Sequence, residues 1–148
     1  MVKLLKDIQL FSCFDERELA DIAQQGENLE ADAFSNIVIE GEMSWSLFVL
    51  VEGRVGVYKS GQLSGNAYDL GEIGAGGFFG EMSLVDDKPR SATVRVLVPS
   101  KLFRIDRDHF QKFLKADSGR QLRFYENCIR LLFARLRDLG DSYVVSQY

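Results

Sequence analysis

IVIEGEMSWSLFVLVEGRVGVY, residues 37–58, is the stretch on which the fold turns. Its blocks Ile37 to Ile39, Leu47 to Val51 and Arg54 to Tyr58 are rich in β-branched and aromatic residues, and Gly41, Gly53 and Gly61 punctuate them. Each block is too short for an ordinary helix, and its residue types suit a pleated surface packed on at least one side. The expected result is a series of short antiparallel strands joined by tight turns.

The same texture continues toward the C-terminus. Strands are expected at Asn66 to Ile73, Ser91 to Val98 and Lys101 to Ile105, with Pro99 and Ser100 turning the chain between the last two. On either side the period becomes helical. Ser12 to Ala23 offers Ser12 or Asp15 as a cap, followed by Leu19, Ile22 and Ala23 at helical spacing. A short helical element is expected near Asp108 to Leu114, and a long helix from about Ser118 to Leu139. Helix, β-sandwich or small barrel, then helix is an α+β, mainly β architecture.

The long helix carries Leu122, Tyr125, Ile129, Leu132, Leu136 and Leu139 at alternating spacings of three and four, the pattern of a coiled-coil seam. A second stripe, Phe124, Cys128, Leu131 and Arg135, lies on a neighbouring face. Two surfaces then need cover, one from the protein's own barrel and one from another chain; a single wide core-facing stripe on a monomer is the other reading.

A chain of 148 residues suits one domain, 1–148, built round one core. With 46% apolar and 27% charged residues it has the composition of a soluble globular protein. Lys and Arg number 18 against 22 Asp and Glu, and the net charge of −4 argues against DNA or RNA as partner. The apolar runs fall well short of the ~20 residues that cross a bilayer, and charges break up the N-terminus before a signal peptide could form. No membrane contact and a cytoplasmic location are expected. Cys13 and Cys128 have no neighbour at metal-ligand spacing and read as reduced, buried thiols. The single histidine, His109, reads as a helix-start or surface residue, so neither a metal site nor a nucleophilic triad has the residues it needs.

Chemistry concentrates in GAGGFFGEMSLVDDKPRSATVRV, residues 74–96. Dense glycines let successive backbone N–H groups aim at one spot, and a short helix starting near Glu81 would add its positive end there. Nine residues after Glu81, Arg90 offers a permanently charged fork for a phosphate. A carboxylate beside a phosphate needs another group on the same ligand, and a ribose 2′-hydroxyl answers that need. The pair describes a nucleotide whose sugar and phosphate are held close together.

FGEMSLVDDKPRSATVRV, residues 79–96, resembles the complete phosphate-binding cassette of the cyclic nucleotide-binding domain family, which includes the bacterial catabolite activator protein and the regulatory subunits of cyclic-AMP-dependent protein kinase. LFSCFDERELADIA, residues 10–23, resembles that family's N-terminal helix, and residues 37–58 resemble its early strands. The resemblance implies an eight-stranded, jelly-roll-like β-roll with a cassette helix and a C-terminal lid helix at about 118–139. It implies that Glu81 binds the ribose, Arg90 the exocyclic phosphate oxygens, and the amides of Met82, Ser83 and Ser91 the rest of the phosphate, with Gly80 as the close-approach glycine. Arg135 falls where a lid residue would stack on the base. Ser91 favours cyclic AMP over cyclic GMP, both remaining open. Phe34 and Ser44 stand where many relatives have glycine, which puts loop shape in question.

The expected function is a stand-alone cyclic-nucleotide receptor that needs no further cofactor and catalyses nothing. It signals by repositioning its C-terminal helix toward a separate effector protein or a second copy of itself. About ten residues follow Leu139, too few for a helix-turn-helix. A ligandless dimerisation module of the same fold is the alternative, and a phosphodiesterase lacks a metal cluster or general base.

Overall fold

The computed structural model describes residues 1–61 and 67–147, except for the side chains of 67 and 142–147. In chain order the elements are α1 (Val2–Lys6), a 3₁₀ turn (Gln9–Phe11), α2 (Glu16–Gln25), β1 (Glu27–Ala31), β2 (Asn36–Val38), β3 (Ser46–Ser60), β4 (Ala67–Gly74), β5 (Phe78–Phe79), a second 3₁₀ turn (Glu81–Leu84), β6 (Thr93–Asp106), α3 (Arg107–Lys115) and α4 (Ser118–Gln147). The helix of the N-terminal region starts at the Asp15 cap. Asp15 accepts from the Glu18 N–H at 2.8 Å while the Glu18 side chain accepts from the Asp15 N–H at 3.0 Å, a reciprocal capping box.

Among the described residues six strands form one antiparallel sheet in the order β1-β6-β3-β4, with β2 on β6 and β5 on β3. This corrects two expectations: there are six strands where eight were implied, and the hydrogen-bonded path runs open instead of closing into a barrel. The cause lies in two long strands. β3 runs through both Leu47–Val51 and Arg54–Tyr58, and β6 runs through Pro99 and Ser100, where a turn was expected. The two strands bend together, their mutual register shifting around Glu52 and Arg54. Gly53, at φ 104°, lets the backbone pass Ser100 so closely that a Cβ there would lie 2.1 Å from the Ser100 hydroxyl. The Arg54 N–H donates to that hydroxyl, which itself donates to the Val98 carbonyl. Pro99 sits at this irregularity, where its missing N–H costs little. The expected strand at 66–73 is observed as β4 from Ala67; Asn66 lies outside the described residues. β1, β5 and α1 had not been anticipated.

Four consecutive buried residues, Leu47 to Leu50, show why β3 reads as a continuous apolar run: both of its faces are covered. Leu47 and Val49 face the helices with Phe11, Phe14, Phe103, Phe110 and Phe124. Phe48 and Leu50 face the other way, with Val38, Val55, Phe79, Val94, Val96 and Leu102. The cassette, Gly80 to Arg90, lies where these two clusters meet.

α4 begins at Ser118 as expected and extends to Gln147. Its Phe124 is 1% exposed and stacks on Phe14, with ring centroids 5.9 Å apart. Cys128 and Leu131 pack on the same cluster, while Leu122, Ile129, Leu132, Leu136 and Leu139 are exposed. The helix thus has two faces, and the coiled-coil seam is the outer one except at Tyr125, which packs against the core. His109 sits in the exposed first turn of α3, its N–H capped by Asp106. Both cysteines are free thiols, half-buried where full burial was expected. No helix among the described residues is long and apolar enough to cross a membrane.

Candidate functional site

Gly80 opens the cassette in the left-handed region, φ 82°, a conformation that costs an L-residue about 1–2 kcal/mol. A Cβ there would lie 2.6 Å from the Ser46 carbonyl oxygen and 2.7 Å from Nη1 of Arg90. Glycine is needed for both shape and space. Residues Glu81 to Leu84 then make a single 3₁₀ turn in which the Ser83 N–H donates to the Gly80 carbonyl at 3.2 Å. So short a turn supplies little of the helix dipole that the sequence reading placed here. Gln111 of α3 donates to the Leu84 carbonyl at 2.7 Å and anchors the far end.

Arg90 returns to this spot from the other side. Its backbone N–H donates to the Glu42 carbonyl and its carbonyl accepts from the Gly41 N–H, both at 2.9 Å, which staples the cassette to the loop before β3. The side chain points inward with the residue 7% exposed. Nε donates to the Ser44 hydroxyl at 2.8 Å, Nη2 to the Ser46 carbonyl at 3.0 Å, and Nη1 to the Ser83 hydroxyl at 3.2 Å. Every one of these acceptors is neutral. Burial lowers the Arg90 pKa, and Glu42 offsets this only by acting at a distance. Among the described residues no carboxylate forms a salt bridge with Arg90, so the buried cation feels Glu42 from a distance but has no directly paired anion. Of the five N–H groups of a guanidinium, two remain for an anion.

Glu81, Met82, Ser83, Arg90 and Ser91 line one cavity of about 240 Å³ with Gly80, Lys88 and the apolar side chains of Val38, Val57, Ile73, Phe79 and Val94. Six of the seven residues singled out from sequence are thereby brought together: Gly80, Glu81, Met82, Ser83, Arg90 and Ser91. Arg135 arrives differently. From α4 its Nη1 donates to Oε1 of Glu81 at 3.0 Å, and it lines a second cavity of about 220 Å³ with Leu10, Phe78, Leu84, Phe124 and Leu131. In this structure its side chain is paired with the Glu81 carboxylate.

Ser44 and the Ser46 carbonyl were missed by the sequence reading, although Ser44 had been marked as a departure from glycine. The departures leave the loops intact. Phe34 adopts φ 69°, the conformation a glycine takes freely, and its N–H still donates to the Val96 carbonyl at 2.7 Å. Among the described residues no cluster of three or more His, Cys, Asp or Glu side chains could hold a metal.

The family model for the cyclic nucleotide-binding domain matches residues 29–117. Among solved structures, the N-terminal domain of a transcriptional regulator from Streptomyces coelicolor A3(2) is similar at 24% identity and TM-score 0.80, covering 95% of this chain and 94% of that one. The Thermus thermophilus catabolite activator protein is similar at 23% identity and TM-score 0.78 over 93% of this chain; the match spans 62% of the activator. The regulatory domain of Toxoplasma gondii PKA, solved with cAMP, matches at 23% identity and TM-score 0.71, over 82% of this chain and 46% of that one. These likenesses establish the fold. Since relatives include transcriptional regulators, they lend no support to the expectation that DNA plays no part.

Proposed function

This chain belongs to the cyclic nucleotide-binding domain family, and from that premise we propose that it is a regulatory receptor for a cyclic nucleotide, cyclic AMP ahead of cyclic GMP. The observation that carries the reading is Arg90, a guanidinium 7% exposed whose hydrogen bonds all go to neutral acceptors. Burying a charge without a directly paired anion is costly, and an anionic phosphate entering the cavity supplies one. Glu81, on the same cavity wall, accepts the ribose hydroxyl, and the inner β-sheet side chains Val38, Val57 and Ile73 offer an apolar surface to the sugar and base. Ser91 at the rim supports the preference for adenine.

The domain acts without catalysis, in the cytoplasm, and transmits occupancy by moving α4. Its outward seam of Leu122, Ile129, Leu132, Leu136 and Leu139 favours a second copy of the chain as one partner, with a separate effector as the other. The exposed seam also favours the second reading, a dimerisation module of the same fold that binds nothing.

Isothermal titration with cyclic AMP, cyclic GMP and 5′-AMP separates the two. The receptor binds a cyclic nucleotide and rejects 5′-AMP, and Arg90→Lys abolishes most of that affinity, since lysine keeps the charge but not the fork. Glu81→Ala weakens both cyclic nucleotides by the same factor, because the ribose contact does not read the base. No heat with any nucleotide leaves the dimerisation module.

A further inference from the structure

We propose that Arg135 is a built-in competitor for the ligand: it occupies Glu81 and ties α4 to the cassette until a nucleotide displaces it. This rests on the ribose role given to Glu81 above. The carboxylate is 25% exposed and the arginine 55% exposed, with Nη1 and Oε1 3.0 Å apart.

The position of the pair along α4 makes it a latch. The proximal part of the helix is pinned by separate contacts. Glu18, whose side chain is 9% exposed, accepts from Arg120 at 3.2 Å and from Arg123 at 2.6 Å. The Asn127 amide donates to the carbonyls of Gln9 at 3.0 Å and Leu10 at 2.9 Å, and Phe124 is fully buried between them. Arg135 lies two turns beyond Asn127, about 12 Å farther along the axis. A tilt or bend about the pinned end therefore moves Arg135 and leaves the anchor in place.

The cavities show that ligand and latch meet on the same residues. Glu81, Met82 and Phe78 line both, so that the cassette turn separates them, and Arg135 holds that turn from the α4 side. Arg135 holds Oε1 of Glu81, so a ribose hydroxyl that takes this oxygen displaces the arginine and releases the turn from α4. The energetics suit a switch: an ion pair this exposed is worth a factor of about two to five in an equilibrium, enough to bias the helix and small enough for a ligand to overcome.

The test uses the full chain and has two arms. In amide hydrogen exchange without ligand, Arg135→Gln is expected to speed exchange at residues 131–141 by about two- to five-fold and leave 120–127 unchanged, and the charge-swapped Glu81→Arg/Arg135→Glu pair restores protection. In titration with cyclic AMP, Arg135→Gln is expected to tighten binding by the same factor. Unaltered exchange at 131–141 overturns the latch. Weaker or unchanged affinity overturns the competition, and shows that Arg135 serves the bound nucleotide or shares Glu81 with it. Absence of binding by wild type and variant alike refutes the receptor reading, while the exchange arm still judges the tie between Arg135 and Glu81.

Discussion

Substituting alanine for Gly80 and, separately, for Gly41 measures how closely the cassette is packed on its arginine. The two glycines have nearly the same backbone, φ 82° and φ 85°. An alanine at either pays about 1–2 kcal/mol for the left-handed conformation. They differ in surroundings: nothing lies within 4 Å of a Cβ at Gly41, whereas one at Gly80 meets the Ser46 oxygen at 2.6 Å and Nη1 of Arg90 at 2.7 Å. The Ser46 oxygen belongs to the backbone of a strand paired with β6 and yields little. If Arg90 yields, its bond to Ser83 is lost and a buried N–H is stranded. Forcing extra volume into a packed site adds about 1–3 kcal/mol, so Gly80→Ala should lose roughly 2–5 kcal/mol against about 1–2 for Gly41→Ala. Urea unfolding at fixed m-value reads the difference, and a thermal scan should separate the variants by about 2–4 °C per kcal/mol. Affinity for cyclic AMP should fall at least about tenfold, or 1.4 kcal/mol, in Gly80→Ala and hold in Gly41→Ala. Equal stability losses in the two variants would refute the close approach and with it the placement of Arg90.

Ser44→Ala leaves Nε of a buried guanidinium without its acceptor, so stability or cyclic nucleotide affinity, read by unfolding and titration, should drop by about 1–3 kcal/mol. Phe34→Gly releases an exposed aromatic residue from φ 69° and should stabilise the protein by up to about 1 kcal/mol in urea, since little packing is lost with it. Burial pushes the Cys128 thiol up to about 11 from an ordinary 9.0. Its thiolate fraction at pH 8, read as iodoacetamide alkylation rate, should be on the order of 100-fold below that of an ordinary thiol. Because the folded state holds this proton more tightly than the unfolded chain, the associated stability is whole below pH 9.0 and declines as pH rises toward about 11, measurable by urea unfolding across that range.

Much of the site was legible because its chemistry is local. Gly80, Glu81, Met82 and Ser83 are neighbours in the chain, and Arg90 and Ser91 follow after one short loop, so their types and spacing already described an anion cradle with a carboxylate beside it. Asp15, one of the two caps offered, announced its helix with Leu19, Ile22 and Ala23 for the same reason. Ser44 was illegible as a site residue: its role depends on an Arg90 side chain 46 positions away, and a serine in a loop has many uses. The continuity of β3 and β6 was hidden too, because Gly53 and Pro99 punctuate a bulge with the same residue types that make a turn. Only the partner strand, bending at the same place, distinguishes the two.

The sequence by itself determined the broad alternation of helix and strand, the run of residues that forms the cassette, and the apolar positions along α4, all of which follow from residue type and period within a few turns of chain. Tertiary structure alone decided which face of α4 is inside, because Phe14 and Phe110 come from elsewhere in the chain to receive Phe124. It also decided that Arg90 is buried among neutral acceptors and that Arg135 finds Glu81, 54 residues away. Burial and charge pairing are properties of the space around a side chain, and that space is filled by residues whose sequence distance carries no record of it.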